Sequence, residues 1–474
     1  MSTHILEEIF HPQSIAVVGA SPSGRGGGFV SPLLDYGFKG KLYPVNPKYS
    51  EILGLKAYPN LREIPGSVDY VISAVSASRV LSMLEDCSQK GVKAVHLFTG
   101  RFSETGRPEP AKLEQEILEK ARKSGIRLIG PNCMGVYYPK EGISFVTDLP
   151  KEPGPIGFAS QTGGGSVYLI HIASLRGVRF SKVISYGNAI DLNESDYLDY
   201  FSQDPETKII LMYIEGVKDG KRFFNALRRA TATKPVIIVK GGRGESGTRA
   251  TASHTASLAG STKIWETMVT QAGAVSAENF EEMADLAVSF HFLPLIEGLR
   301  VGILGAGGGT SVLSADQCEE AGLDVIPVPA EIREELKSKG ILTWDWVGNP
   351  IDVSIMGDSG LTGPDMLQMM AENQNFDFLI GTLNEDAPAT KEALKLRHRE
   401  EIKGFIEGKQ RTSKAFLVVV GEKSPGIKDH NDWRWRALSE ARAKLLAAGI
   451  PVYPTIGRAA RAARKLAEYY QRRK

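Results

Sequence analysis

Three times along this chain of 474 residues, a short apolar run ends in a glycine-rich turn that leads into a helical pattern. The three turns begin at Gly19, Ser160 and Gly305. Further apolar runs alternate with helical patterns after each of these starts. Continuous apolar strands separated by helices are typical of parallel sheets that are covered on both faces. We therefore expect an α/β protein built from three such openings.

The length of the chain predicts more than one domain, because a single core rarely serves so many residues. Residues 150–155 read PKEPGP, which is typical of a linker. We place the domains at residues 1–150, 151–295 and 296–474. The first is predicted to be Rossmann-like, with its ligand at the carboxyl ends of the strands.

Composition excludes several classes of function. The net charge of +2 lacks the basic field of nucleic-acid-binding proteins. Three cysteines lie far apart in sequence, so we expect neither a disulfide framework nor a metal site. No apolar run reaches the ~20 residues of a membrane span, and the first residues do not resemble a signal peptide. A cytoplasmic protein is the expectation.

The first glycine-rich turn offers backbone amides at the start of a helix, which is a general anion site. Its spacing is not GxGxxG, and the second strand is followed by VNPK at residues 45–48, without the acidic residue that binds a ribose diol. Both points argue against NAD. Lys48 suits a ligand with an extra phosphate, such as CoA or NADP, or else it is a solvated turn lysine. Asn132, after a later strand, either binds a ligand or caps a turn.

Residues 241–260 read GGRGESGTRATASHTASLAG and follow an apolar strand. This run of small residues predicts a long loop, which cannot bury a core and so moves or wraps around something. Its imidazole, His254, is therefore a candidate for a group that is carried between places. Glu215 lies at the end of another strand of the same domain, where it is either a site residue or a structural cap.

Several motifs together resemble the alpha subunit of the ADP-forming acyl-CoA synthetases (acetate–CoA ligase, ADP-forming), relatives of succinyl-CoA synthetase. They appear in the order of that family and span most of the chain. The motifs are residues 19–23 (GASPS), 45–48 (VNPK), 130–133 (GPNC), 160–163 (SQTG), 214–216 (IEG), 253–260 (SHTASLAG), 305–309 (GAGGG) and 349–352 (NPID).

Two positions depart from the pattern of the family. Ala256 stands where the family usually has glycine, which leaves His254 intact. Residues 99–104 read TGRFSE, whereas a commoner pattern is Ala-Gly-Phe-Ala-Glu. The second change is expected to alter the acyl pocket, so the acyl group is not transferred by analogy.

The resemblance implies a Rossmann-like CoA-binding domain followed by two flavodoxin-like domains of the succinyl-CoA synthetase type. It implies the reversible reaction of an acyl-CoA, ADP and phosphate to give a small carboxylic acid, ATP and CoA. It also implies a separate beta subunit with the ATP-grasp fold, and this subunit would provide the main binding site for ADP or ATP with Mg²⁺. An α2β2 heterotetramer is the expected assembly, without nucleic acid or membrane as a partner.

The resemblance also implies roles for residues. His254 would carry the phosphoryl group, and Glu215 would hydrogen-bond its ring. Two helix N-termini would bind the phosphate; their residues are Ser160, Gln161, Thr162, Gly163, Gly164, Gly308, Gly309 and Thr310. A further set would bind CoA, namely Gly19, Ser21, Pro22, Ser23, Gly24, Val45, Asn46, Lys48, Ser73, Ala74, Val75, Asn132 and Cys133.

Three alternatives remain from the sequence. In the first, the chain would be a noncatalytic CoA-binding regulatory subunit, although an intact His254 argues against this. In the second, the chain would be an alpha chain of the succinate–CoA ligase type, because the motifs do not specify the acyl group. A Rossmann dehydrogenase is disfavoured because no acidic residue follows the second strand.

Overall fold

The computed structural model describes residues 5–22, 27–255, 262–305, 307–352, 361–383, 390–421 and 431–473. The chain forms two compact units, the first made of Met1–Ser174 with Val178–Met283 and the second of Leu175–Gly177 with Ala284–Lys474. Among the described helices, none is both long and apolar enough to cross a membrane.

The first sheet has five parallel strands in the order β2-β1-β5-β6-β7. Valine and isoleucine fill its strands and are buried on both faces, as expected for a parallel sheet between helices. A short antiparallel pair, β3–β4, lies outside it. The elements of this region are α1 (Ile5–Phe10), β1 (Ser14–Val18), α2 (Val30–Asp35), β2 (Lys41–Val45), β3 (Glu51–Ile52), β4 (Leu55–Lys56), β5 (Tyr70–Ser73), α3 (Val80–Lys90), β6 (Ala94–Leu97), α4 (Pro108–Lys123) and β7 (Arg127–Ile129).

The second sheet belongs to the same compact unit and has six strands in the order β13-β12-β11-β9-β10-β8. All its neighbours are parallel except β8 and β10. Its elements are β8 (Gly135–Tyr137), β9 (Ile156–Ser160), α5 (Gly163–Ser174), β10 (Phe180–Ser185), α6 (Glu194–Gln203), β11 (Ile209–Ile214), α7 (Gly220–Thr233), β12 (Val236–Lys240), α8 (Glu245–Thr255), α9 (Thr262–Gln271) and β13 (Val275–Ala277). Helix α10 (Phe280–Phe292) follows, and it belongs to this unit only as far as Met283.

The second compact unit contains a third sheet of four parallel strands in the order β14-β15-β16-β17. Aromatic, leucine and methionine side chains of its helices pack on the sheet and form its core. The elements are β14 (Val301–Leu304), α11 (Gly308–Glu320), α12 (Ala330–Ser338), α13 (Gly363–Glu372), β15 (Phe378–Thr382), α14 (Lys391–Arg411), β16 (Ala415–Val419), α15 (Trp433–Ala447), β17 (Val452–Tyr453) and α16 (Ile456–Gln471).

The predicted α/β class with parallel sheets is confirmed. The predicted domain boundaries stay a prediction. Strand β8 was not predicted: it lies before the linker proposed at residues 150–155, and it pairs antiparallel with β10 in the second sheet. The chain between β7 and β8 therefore passes from the first sheet to the second. Two hydrogen bonds hold this segment against the second sheet: the N–H of Asn188 donates to the Pro131 carbonyl at 3.0 Å, and the N–H of Met134 donates to Ser185 Oγ at 3.1 Å.

Candidate functional site

The carboxyl edge of the first sheet is held by hydrogen bonds between the turns that follow its strands. Gly19 donates its N–H to the Val45 carbonyl at 2.9 Å, and Ala74 donates to the Val18 carbonyl at 2.8 Å. Gly19 has a φ of +88°, and a Cβ there would lie 3.0 Å from the carbonyl carbon of Ala74. Glycine is required at this close approach. The turns after β1, β2 and β5 thus meet at one edge, where ligands of such sheets bind.

Lys48 is an exposed cation at this edge. The turn that presents it is organised by Asn46, whose Nδ2 donates to the Ala20 carbonyl at 2.7 Å and whose Oδ1 accepts the N–H of Lys48 at 3.0 Å. Within the described part of the chain, the Lys48 ammonium has no carboxylate at ion-pair distance. Asn46 therefore acts through the backbone of the turn, and Lys48 is free to meet an anion.

The other predicted CoA residues near this edge differ in accessibility. Ser21 is partly exposed and Pro22 is exposed. Val45 and Ser73 are buried, with 2% and 0% of their surface exposed. Ser23 and Gly24 lie outside the described residues. The turn residues can therefore contact a ligand directly, whereas the buried side chains of Val45 and Ser73 cannot.

An open cavity of about 550 Å³ lies between the carboxyl edges of the first and second sheets, within the first compact unit. It brings together residues from both predicted sets. From the CoA set it is lined by Ala74, Val75, Asn132 and Cys133, from the phosphate set by Gln161, Thr162, Gly163 and Gly164, and otherwise by Ser76, Phe98, Thr99, Gly100, Arg101 and Met134. Among the described residues that line this cavity there is no aspartate or glutamate, so the polar groups of this lining are suited to an anion.

Gln161 lies at the wall between this cavity and Glu215. Its side chain is buried, and Oε1 accepts the N–H groups of Glu215 at 2.5 Å and of Gly216 at 3.0 Å. Because Oε1 is engaged in this way, the amide orientation is fixed. Nε2 is buried and has no hydrogen-bond partner among the residues that the structure describes. A buried donor without a partner is costly, so Nε2 is a donor in reserve for a ligand.

Helix α5 begins at Gly163, directly at the cavity. Thr162 ends the turn before it, and Ser160 braces this turn because its hydroxyl donates to the Thr162 carbonyl at 2.9 Å and accepts the Thr162 N–H at 3.2 Å. A Cβ at Gly164 would meet nothing within 4 Å, whereas one at Gly163 would lie 2.5 Å from Met134 Cγ. The first amides of a helix and the helix dipole favour an anion. The open space beside Gly164 therefore lies next to hydrogen-bond donors that suit an anion.

Glu215 follows strand β11 and is 4% exposed. Tyr213 donates its hydroxyl to Glu215 Oε1 at 3.1 Å, and Lys240 Nζ donates to the Glu215 carbonyl at 2.8 Å. Burial, together with the nearby Glu215 carboxylate, raises the pKa of Tyr213. The phenol therefore stays a donor, and the carboxylate is held in place at the end of the strand.

The prediction of a loop over residues 241–260 is wrong for part of that stretch, because Glu245–Thr255 form helix α8. Glu245 lies in its first turn, where a negative charge is favourable. Thr251 is buried and its hydroxyl donates to the Gly247 carbonyl at 2.9 Å. Helical bonds and this packing outweigh the low propensity of the small residues. His254 belongs to α8, but its side chain, like residues 256–261, lies outside the described part.

Helix α8 packs against the 3₁₀ turn Ser103–Thr105 of the first domain. That turn directly follows Thr99, Gly100 and Arg101, which line the cavity. The helix that carries His254 thus lies next to the segment that borders the cavity.

Gly308, Gly309 and Thr310 form the start of helix α11 in the second compact unit, and all three are exposed. A Cβ at Gly309 would meet nothing within 4 Å. The structure therefore places an accessible helix N-terminus here. Its predicted convergence with the start of α5 stays a prediction.

Sequence reasoning missed several residues of the site. Arg101 and Thr99 line the cavity, and Tyr213 and Lys240 surround Glu215. The unusual TGRFSE segment was noted in the sequence, and this was the available signal for the first two. For Tyr213, the position two residues before a strand-end glutamate on the same face gave a weak signal.

His96 lies in strand β6 of the first sheet, and its burial is the basis of the first testable prediction. It is 1% exposed, and its Nε2 lies 2.9 Å from the Cys133 carbonyl. Burial lowers the pKa of His96 to about 4, although the hydrogen bond to Cys133 opposes the shift. An unfolded histidine has a pKa of about 6.5. As the pH falls from about 6.5 to about 4, the unfolded chain gains a proton that the folded chain refuses, so stability is lost in this window.

We expect His96→Leu to reduce the loss of unfolding free energy between pH 7 and pH 4.5 by about 2–3 kcal/mol. Urea denaturation at the two pH values measures this loss. Ile72→Val, a change without a titratable group at the residue paired with His96 on strand β5, is the control and should leave this loss unchanged. If His96→Leu shows the same acid dependence as the unmodified protein, the buried imidazole is not its source.

Comparisons with known proteins agree with this arrangement. Residues 13–139 match the family described as CoA binding domain, and residues 153–290 match the succinyl-CoA ligase like flavodoxin domain. The acetate–CoA ligase [ADP-forming] II subunit alpha of Pyrococcus furiosus is 39% identical over 378 residues, which are 79% of this chain and 82% of that protein. The 4-hydroxybutyrate–CoA ligase [ADP-forming] of Nitrosopumilus maritimus is 33% identical over 358 residues, 74% of this chain and 50% of that protein.

Among solved structures, acetyl-coenzyme A synthetase 1 of Ca. Korarchaeum cryptofilum, in complex with phosphate and ADP, superposes with a TM-score of 0.81. It is 32% identical, and the match covers 99% of this chain and 97% of that one. A parallel α/β fold with a CoA-binding domain beside a succinyl-CoA ligase-like domain defines an acyl-CoA ligase. The chain belongs to the family of ADP-forming acetate–CoA ligase alpha subunits and is a ligase of this kind.

Proposed function

We propose that the cavity between the first two sheets is the acyl-transfer site of this ligase, and that His254 carries the phosphoryl group away from it. One observation carries the proposal: the cavity unites strand-end residues of the CoA-binding domain with Gln161 and the start of α5. The reaction is the reversible conversion of an acyl-CoA, ADP and phosphate to an acid, ATP and CoA.

The residues at the edge of the first sheet fit CoA. The turns after β1, β2 and β5 meet there. Lys48, which has no ion-pair partner in the described part of the chain, would supply the cation for the 3′-phosphate. Ala74, Val75, Asn132 and Cys133 would lie along the arm that reaches the cavity. When bound, CoA supplies the thiol that holds the acyl group as a thioester.

We expect Lys48→Ala to weaken CoA binding about 10-fold, because one charge-assisted contact to a phosphate is lost. Binding of 3′-dephospho-CoA should not change. Isothermal titration of the purified chain with both ligands measures this difference, and Lys41→Ala, an exposed lysine at the start of β2, is the matched control. Equal weakening of both ligands would mean that Lys48 does not meet the 3′-phosphate.

The start of α5 suits the phosphate. The amides of Gly163 and Gly164, with Nε2 of Gln161, would donate to its oxygens. Phosphate held there attacks the thioester carbonyl, the C–S bond breaks, and an acyl phosphate and the free thiol result. A helix N-terminus lowers the free energy of the developing negative charge because its amides are fixed before the reaction.

His254 is the proposed acceptor of the phosphoryl group. A neutral imidazole nitrogen attacks phosphorus, and the carboxylate of the product acid leaves. Glu215 is buried and anchored, and it would accept a hydrogen bond from the other ring nitrogen, which fixes the tautomer and stabilises the positive ring. The packing of α8 against Ser103–Thr105 supports this role, since it keeps the helix of His254 beside the cavity.

The nucleotide half of the reaction is assigned to a partner. Relatives that are named alpha subunits support a separate beta subunit, for which we propose the ATP-grasp fold, ADP or ATP with Mg²⁺, and an α2β2 assembly. The accessible start of α11, at Gly308, Gly309 and Thr310, would bind the phosphoryl group on the phosphohistidine. The assembly is proposed to work in the cytoplasm.

The test of this proposal is a reaction that needs both subunits. The chain co-expressed with its beta subunit should convert an acid, CoA and ATP to an acyl-CoA with equal release of ADP and phosphate. Each subunit alone should give no thioester. Release of AMP and diphosphate, or thioester formation by this chain alone, would refute the assignment.

A further inference from the structure

Arg101 has an unusual backbone conformation at the cavity. It lines the cavity and has a φ of +76°, in the left-handed region that favours glycine. A residue with a side chain is disfavoured in this region. The chain therefore carries a long cation at a position where the backbone favours having no side chain.

The surrounding contacts hold the backbone of Arg101 in this conformation. The Glu104 carboxylate accepts the N–H of Arg101, and it accepts the N–H of Phe102 at 3.0 Å and Nδ2 of Asn188 at 2.7 Å. Phe102 is fully buried beside them. The turn is thus fixed by its neighbours, while the side chain of Arg101 is exposed.

The guanidinium of Arg101 has no ion-pair partner in the described part of the chain. None of the described residues that line this cavity is an aspartate or a glutamate. Gln161 also lines it; its side chain is 1% exposed, and its Nε2 has no hydrogen-bond partner in the described part of the chain. Val75, Phe98 and Met134 give the cavity an apolar part. This combination fits a ligand with a short apolar stem and more than one negative group.

The phosphate alone does not account for Arg101. Amides at the start of α5 and Nε2 of Gln161 already offer donors to it. An additional cation that forms bidentate bonds with carboxylates is explained by an additional carboxylate.

We propose that Arg101 selects acyl groups that end in a second carboxylate, so that the substrates are CoA monothioesters of short dicarboxylic acids. This inference rests on the proposed acyl-transfer site. Arg101 would bind the distal carboxylate, and the apolar residues would contact the methylene groups between the two ends. Arg101 is thereby a specificity-determining residue.

Titration of the full chain with two thioesters of equal length, butanoyl-CoA and the CoA monothioester of butanedioic acid, tests the inference. The unmodified chain should bind the dicarboxylate thioester about 10-fold more tightly, the value of one charge-assisted contact. Arg101→Gly should reduce this ratio to about 1, by weakening the binding of the dicarboxylate thioester about 10-fold. Arg101→Asn should reduce the ratio in the same way, because asparagine removes the charge but tolerates a positive φ. This variant therefore separates the effect of the charge from that of the backbone conformation.

Equal affinity of the unmodified chain for both thioesters would overturn the inference. So would a loss of affinity in Arg101→Gly that is the same for both thioesters and for free CoA, since Arg101 would then bind CoA itself. A loss confined to inorganic phosphate, titrated separately, would assign Arg101 to phosphate instead. If neither CoA nor any thioester binds the unmodified chain, the acyl-transfer site itself is wrong, which is a different result from all of these.

Discussion

Replacement of His254 by alanine is expected to reduce the acyl-CoA synthetase activity of the assembled enzyme by at least about 1,000-fold, because the nucleophile that accepts the phosphoryl group is removed. CoA binding should remain within about twofold, since the CoA residues lie at the edge of another sheet. Coupled spectrophotometric assays in both directions and calorimetric titration with CoA measure the two effects.

The matched control is His171→Ala, which removes a partly exposed histidine of α5 in the same compact unit. It should retain activity within about twofold. If His254→Ala keeps more than about a tenth of the activity, the phosphoryl group does not pass through this residue.

Glu215→Gln should lower the rate of phosphoryl transfer about 100-fold, with unchanged CoA affinity. The substitution keeps the size of the side chain but removes the charge that would stabilise a positive imidazole, and positioning partners of this kind are worth 10- to 100-fold or more. Tyr213→Phe should have a smaller effect, about 10-fold, because the carboxylate stays and loses one hydrogen bond of 3.1 Å. Rapid-quench measurement of phosphoenzyme formation resolves the transfer step.

Thermal unfolding of both variants serves as the control for damage to the second sheet. A drop in CoA affinity that equals the drop in transfer rate would make Glu215 a structural residue. A Tyr213→Phe variant slower than Glu215→Gln would also contradict the assigned roles, because the tyrosine would then act by itself.

Much of the fold follows from local sequence patterns. Apolar runs such as residues 14–18 and 156–160 are fully apolar or small, and this pattern alone predicts parallel strands covered on both sides. The turn at Ser160–Gly164 was also foreseen, since strand, glycine-rich turn and helix follow each other directly. The grouping of these turns follows from the common edge that parallel strands share.

Tertiary contacts determine the remainder. Strand β8 has three residues, and it is ordered by pairing with β10 rather than by its own pattern. Helix α8 contains one glycine and many small residues, so its sequence alone favours a loop. The cavity needs Arg101 from one sheet edge and Gln161 from another, which are brought together only when the segment between β7 and β8 connects the two sheets.

His254 is proposed to carry the phosphoryl group between the two halves of the reaction. The direct measurement is incubation of the assembled enzyme with γ-³²P-labelled ATP and Mg²⁺, followed by acid and alkaline treatment and peptide mapping. We predict a label on this chain that is lost in acid, survives in alkali, maps to the peptide with His254 and is absent from His254→Ala. A label that persists in His254→Ala, or thioester synthesis that proceeds without any labelled intermediate, would contradict the account.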